Sequence, residues 1–173
     1  MPIVEIIEYP DYEAYRAFFY FIRRRNPAMW FSWILLYGVL PAISVYLVII
    51  SLRAGSVRLS TLICLVGWTA LAVYRLLEPR IQFKKRGSSF ISSRAAFFEE
   101  YFAFVTTRQA SNHESAHRYE DVESVHETGG AFYILHNGRF WSFVPKKFMA
   151  PEQIAVMREL FTRKFGPQFK SKA

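Results

Sequence analysis

The chain has 173 residues, of which 52% are hydrophobic and 21% charged, and its net charge is +8. That length holds one ordinary domain or two small ones, which excludes a large multi-domain enzyme, and an aromatic content of 18% excludes an intrinsically disordered chain. The single cysteine, Cys64, excludes an internal disulfide, a cysteine-rich zinc site and a CxxC redox motif.

Residues 1–27 open the chain. The run IVEIIEY at 3–9 is short and β-branched, and reads as a strand that needs a partner elsewhere. Asp11, after Pro10, is a helix N-cap, and the helix it starts is predicted to run to Asn26-Pro27. With Phe18, Phe19, Phe21 and Ile22 beside a basic end, this helix is expected to lie along a membrane interface rather than to dock on a domain.

Residues 28–52 carry no charge. At a rise of about 1.5 Å per residue they form a helix about 37 Å long, enough to cross a hydrocarbon layer of about 30 Å. A cleaved signal peptide needs an apolar core of roughly 7–15 residues near the start, and this run is too long and begins too late. Pro41, three residues after Gly38, is expected to bend the span.

After a connector at 53–58, residues 59–77 read as a second span. Only Arg75 interrupts it, close enough to the end for its guanidinium to reach the headgroups. Trp30, Trp33 and Tyr74 fall at the same expected interface. The two spans are predicted to form a hairpin, and Gly38, Ser44 and Gly67 would allow close approach of further helices, in a homo-oligomer or as a subunit of a larger complex. Arg16, Arg23, Arg24, Arg25, Arg75, Arg80, Lys84, Lys85 and Arg86 flank the hairpin, against Arg53 and Arg58 in the connector, so both termini are expected in the cytoplasm. Topology and attraction to anionic lipid headgroups then account for much of the positive charge, with no nucleic-acid partner required.

Residues 78–93 read as a basic, then serine-rich linker, and 94–173 as a cytoplasmic domain. Strands are predicted at 97–107, 118–127, 131–136 and 139–144, with Gly129-Gly130 and Asn137-Gly138 as turns, so that 132–143 is a β-hairpin. Pro151 opens a helix whose Ile154, Met157, Leu160 and Phe161 share one face, and Gly166-Pro167 stops it. The expected fold class is α+β: a two-helix transmembrane hairpin followed by a small antiparallel β-barrel or sandwich capped by a C-terminal helix.

Several residues in this domain carry a resemblance. Tyr119, Asp121 and Val122, then Glu127 and Thr128 before Phe132 and Tyr133, and finally Val144 to Phe148 ahead of the last helix, are similar to the YcxB-like family of bacterial membrane proteins. The resemblance covers about residues 94–165 by motif and most of the chain by layout. It implies a bacterial inner (cytoplasmic) membrane protein with a pleckstrin-homology-like (PH-like) cytoplasmic domain, and brings no activity, cofactor or catalytic residue with it.

One motif points elsewhere. His113-Glu114-Ser115-Ala116-His117 is an HExxH sequence, which on a helix places two imidazoles on one face to hold zinc while the glutamate activates water. Glu120, Glu123 or His126 would be a third ligand. The flanks are polar throughout, however, and offer no apolar face by which such a helix could be buried, so the segment is read as a polar strand-to-strand connection and a membrane-bound zinc peptidase as the lesser alternative. His126 and His136 read as strand side chains. Lys146, Lys147, Lys164, Lys170 and Lys172 form a basic face for solvent or for anionic lipid. No glycine-rich phosphate loop and no paired nucleophile and base occur. The reading is therefore a non-enzymatic binding module without metal or cofactor. It would contact a protein, peptide or lipid headgroup through an open strand edge and through Phe132, Tyr133, Trp141, Lys146 and Lys147.

Overall fold

The computed structural model describes residues 1–26, 31–32, 34–54, 59–87, 90–108, 111–138 and 140–171. Trp30, Trp33, Arg58 and Lys172 lie outside them. The fold is α+β and divides into two compact units, residues 1–18 with 84–173, and residues 19–83.

The first unit is built on two four-stranded sheets. One has the order β1-β2-β3-β4: β1 (Val4–Glu8), β2 (Phe90–Phe97), β3 (Tyr101–Arg108) and β4 (Asn112–Arg118), all antiparallel. The strand at the chain's start finds its partner here, with Val4 opposite Phe97 and Ile6 opposite Ala95. Because side chains alternate across a strand, Val4, Ile6 and Glu8 share one face, with Ser93, Ala95 and Phe97 beside them on β2. The second sheet has β7 (Phe140–Pro145), β6 (Ala131–His136) and β5 (Val122–Glu127) antiparallel, with β8 (Phe169–Ser171) parallel to β5. At the β6–β7 turn Asn137 and Gly138 both take positive φ, 44° and 67°, as a tight hairpin asks.

Between the sheets lies the core: Ile6, Phe97, Phe102, Phe132, Ile134, Met157 and Phe161 are all fully buried. The last helix, α4 (Pro151–Phe165), closes it. Its Phe161 ring meets those of Phe97, Phe132, Phe165 and Phe169. Pro151 starts this helix, and Gly166, at φ 48°, ends it.

The first helix, α1 (Tyr12–Arg25), begins where expected: the Asp11 carboxylate accepts from the Glu13 and Ala14 backbone N–H groups. Its first turns differ from the interfacial reading. Tyr15 and Phe18 are buried, and Phe18 stacks on Phe143 at 4.3 Å on the outer face of the second sheet. The segment expected as a linker at 78–93 is also structured, as helix to Gly87 and strand from Phe90.

Two helices are long and apolar enough to cross a membrane, Leu35–Arg53 within the second unit and Leu62–Lys85, which lies in it up to residue 83. The first begins as a π-helical turn, Leu35–Val39, and continues as α2 (Leu40–Arg53). The second is part of α3 (Leu59–Gly87), which runs through Pro79, with Gln82 bonded to Glu78 across that proline. Pro41 explains the π turn. The Leu40 N–H bonds to Leu35 O, five residues back, and Pro41 has no N–H, so neither can donate to Leu36 O. That carbonyl instead accepts from Trp68 Nε1 of α3 at 2.6 Å. An unsatisfied backbone carbonyl is costly away from water, so a proline in one helix creates the acceptor that docks the other. Trp68→Phe keeps an aromatic ring and removes the N–H. It is expected to destabilise this unit by about 1–2 kcal/mol, measured as a lower chemical-denaturation midpoint of the full chain in detergent, and an unchanged midpoint would show that the bond contributes nothing.

Candidate functional site

The HExxH segment is strand β4, not a helix and not a loop. Its register on β3 sets His113 opposite Thr106, Ser115 opposite Phe104 and His117 opposite Phe102. Four residues apart on a strand, His113 and His117 share a face but stand about 13 Å from one another, while Glu114 points to the other face. The one-face grouping that zinc hydrolysis needs is therefore not formed, and among the described residues no three metal-ligating side chains converge.

Of these residues His117 takes part in an interior contact. Its ring lies 4.7 Å from that of His136 on β6, and His136 stacks on Phe140 and shares a 2.9 Å hydrogen bond with Ser142 Oγ. Burial, and then the neighbouring His117, push His136 down to about 4 despite Asp121, and burial likewise lowers His117. The pair is neutral near pH 7 and packs as aromatic filling between the sheets.

The residues expected to form a contact surface separate into two groups. Phe132 is fully buried and Tyr133 nearly so, with its ring against Phe18. Lys146 is 90% buried and its ammonium is spent inside the protein. These three are structural and do not present a surface. Trp141 is half-buried, 5.7 Å from the His126 ring, and Lys147 is exposed and paired with Asp11 at 2.9 Å.

Lys146 leads to a cluster that no local pattern of residue types signals. Glu127 ends β5 with its carboxylate buried. Its Oε1 accepts from Lys146 Nζ and Arg158 Nε, each at 2.6 Å, and its Oε2 from Ser171 Oγ at 2.7 Å. Lys146 also donates to Thr128 O and lies over the Phe132 ring. Burial alone would raise this carboxyl, but the hydrogen bonds from Lys146, Ser171 and Arg158 outweigh it and hold it below its ordinary value. One carboxylate thus joins β5, the turn after β7, α4 and β8.

Glu8 is the opposite case. It ends the inward row of β1, opposite Ser93, and is 9% exposed. Its Oε1 has no hydrogen-bond partner among the described residues. Burial pushes it from 4.5 up to about 8, so it is a neutral acid at pH 7. Through the register, Glu8, Ser93, Thr106 and His113 form one transverse polar row across the first sheet.

An open groove of about 960 Å³ lies at one end of this unit, lined by Tyr101, His117, Arg118, Tyr119, Lys164 and Phe165 among others. Tyr119 Oη donates to Phe98 O at 2.8 Å, and Lys164 lies over the Tyr119 ring. The groove runs beside the end of β4, whose second edge pairs with no strand among the described residues. No family model matches the chain, and neither a curated protein nor a solved structure matches it.

Two outcomes follow from the buried carboxyls. Glu127→Ala leaves Lys146 buried without its anion and is expected to cost about 3–5 kcal/mol, read from denaturant midpoints; a loss under about 1 kcal/mol would mean that the cluster does not lock these elements. For Glu8, the unfolded chain ionises near 4.5 and the folded one near 8, so the folded state loses stability as pH rises across that interval, by at most about 1.4 kcal/mol per unit. Melting temperatures of Glu8→Gln and the parent are expected to agree at pH 4 and to diverge by pH 8 in favour of the variant, and parallel curves would refute the assignment.

Proposed function

We propose that this chain is a membrane-tethered, non-enzymatic binding module, with two spans in the bacterial inner membrane and a PH-like domain in the cytoplasm. The observation that carries the reading is the pairing of β1 with β2, between which both apolar helices lie. Two strands that share hydrogen bonds are on the same side of a bilayer, so the chain between them crosses an even number of times. Only 17% and 6% of the two apolar segments is buried within the chain, and surfaces of that size and polarity need an apolar medium to cover them. The excess of basic residues outside the connector favours cytoplasmic termini.

Two four-stranded sheets closed by a C-terminal helix support a PH-like description, and the Tyr119, Asp121, Glu127, Thr128 and Val144 to Phe148 motifs support kinship with the YcxB-like family. The partner is an extended peptide or protein segment that adds to the free edge of β4 beside the groove, since an open edge offers unpaired backbone groups. The strand geometry of His113, Glu114 and His117 gives no support to the zinc-peptidase alternative.

Alkaline carbonate washing of bacterial membranes is expected to leave the protein in the pellet, with reporters at both termini active only in the cytoplasm. A photo-crosslinker at Glu114 on β4 is expected to capture a partner in the same membranes, and one at Ala103, in the middle of that sheet, is not. Release into the supernatant would end the membrane reading, and equal capture at the two positions would end the edge-docking one.

A further inference from the structure

The helical unit holds polar chemistry that the binding-module reading leaves unused. Glu78 of α3 accepts from Arg23 Nη2 at 2.5 Å, from Arg75 Nη1 at 3.3 Å and from Gln82 Nε2 at 3.1 Å. Two guanidiniums on one carboxylate leave a local charge of +1. The Arg23 side chain is only 6% exposed and lies over the Phe19 ring at 4.3 Å, and its Nη1 has no hydrogen-bond partner among the described residues. A guanidinium stays charged and presents five donors in a rigid fork, so an arginine that is buried and only partly paired lacks an anion.

Depth suggests which anion. From Leu59 to Glu78 the helix rises about 28 Å, close to the thickness of a bilayer's hydrocarbon layer, and Trp68, bonded to the other apolar helix, lies about halfway. The charged group thus stands at the headgroup level of the end opposite to the connector. Arg75 is about a third exposed, and exposed Arg24 and Arg80 belong to the same unit.

We propose that Arg23 and Arg75, held in position by Glu78, bind the phosphate of an anionic phospholipid. The phosphate oxygens would accept from Arg23 Nη1 and from the remaining N–H groups of Arg75, and the apolar faces of the two helices would carry the acyl chains. Glu78 is a positioning residue: it fixes two forks that would otherwise repel. A free phosphate would meet the same donors but gain nothing from the apolar faces. The proposal rests on the membrane reading given above.

The test uses the full chain, purified in detergent and delipidated, then titrated with phosphatidylglycerol, phosphatidylcholine or inorganic phosphate. Bound lipid is counted by native mass spectrometry, and melting is followed by tryptophan fluorescence. One phosphatidylglycerol per chain is expected. Its apparent affinity should fall about tenfold in Arg75→Gln and stay at the parent's value in Arg53→Gln, at the far end of the first span. Glu78→Gln is expected to melt lower without lipid, and to recover part of that loss when phosphatidylglycerol is added. Equal binding of the two lipids, with Arg75→Gln matching the parent, would overturn the site. Inorganic phosphate binding as tightly as phosphatidylglycerol would overturn the lipid assignment in favour of a free anion. Should carbonate washing release the protein from membranes, the membrane reading fails and the site falls with it, whereas a retained protein without lipid preference removes the site alone.

Discussion

The pairing of Val4 with Phe97 is the constraint on which the rest of the molecule depends. It brings into register two strands that stand more than eighty residues apart, with both apolar helices in the interval. Closing a loop of that size costs entropy that grows only slowly with length, so a long insertion is tolerable provided the strands it separates are well held. They are: Val4 and Ile6 enter the same core as Phe97, Phe132 and Phe161, and Gln153 of α4 donates to Glu5 O. The first strand is therefore part of the β unit, although both apolar helices lie between it and the other strands of that unit.

Throughout the chain the polar groups that sit out of water show how the packing was solved. Leu36 O, stripped of its backbone donor by Pro41, takes one from Trp68. Glu127 takes three, and each comes from a different element. Glu8 takes the other route open to a buried carboxyl and keeps its proton. Arg23 has neither course fully available, since a guanidinium cannot be neutralised and Glu78 is shared with Arg75. Satisfied groups act as joints between elements, and incompletely satisfied ones mark where the structure has capacity left.

Local signals could be read from the sequence where they were sufficient in themselves. Asn137-Gly138 makes its turn, Asp11 caps its helix, Pro151 and Gly166 bound the last one, and two long apolar runs form helices. Readings failed where neighbours far away in the chain decide the outcome. The segment from Asn112 to Arg118 is polar because β4 is an edge strand, half in water, and only its register on β3 makes it a strand. Arg80, Lys84 and Lys85 suggested a linker, yet they continue α3 on a helical frame that Glu78 and Gln82 carry past Pro79. Phe132 and Lys146 had the composition of a contact surface, but alternation along β6 turns Phe132 inward, and Lys146 follows Glu127 into the interior. The partners of Glu127 lie 19, 31 and 44 residues downstream, a separation across which no pattern of residue types signals contact.

Those separations also place the Glu127 cluster in time. At about 5–20 residues per second of synthesis, Ser171 joins the chain roughly 2–9 seconds after Glu127, with Lys146 and Arg158 in between. Until all three are made the carboxylate lacks its full set of partners, and closing the second sheet over it would leave a charge away from water incompletely paired. Sheet closure is thus held back until α4 and β8 have emerged, long after the apolar helices have been made. The buried ion cluster ties completion of the second sheet to segments made well after its own strand β5.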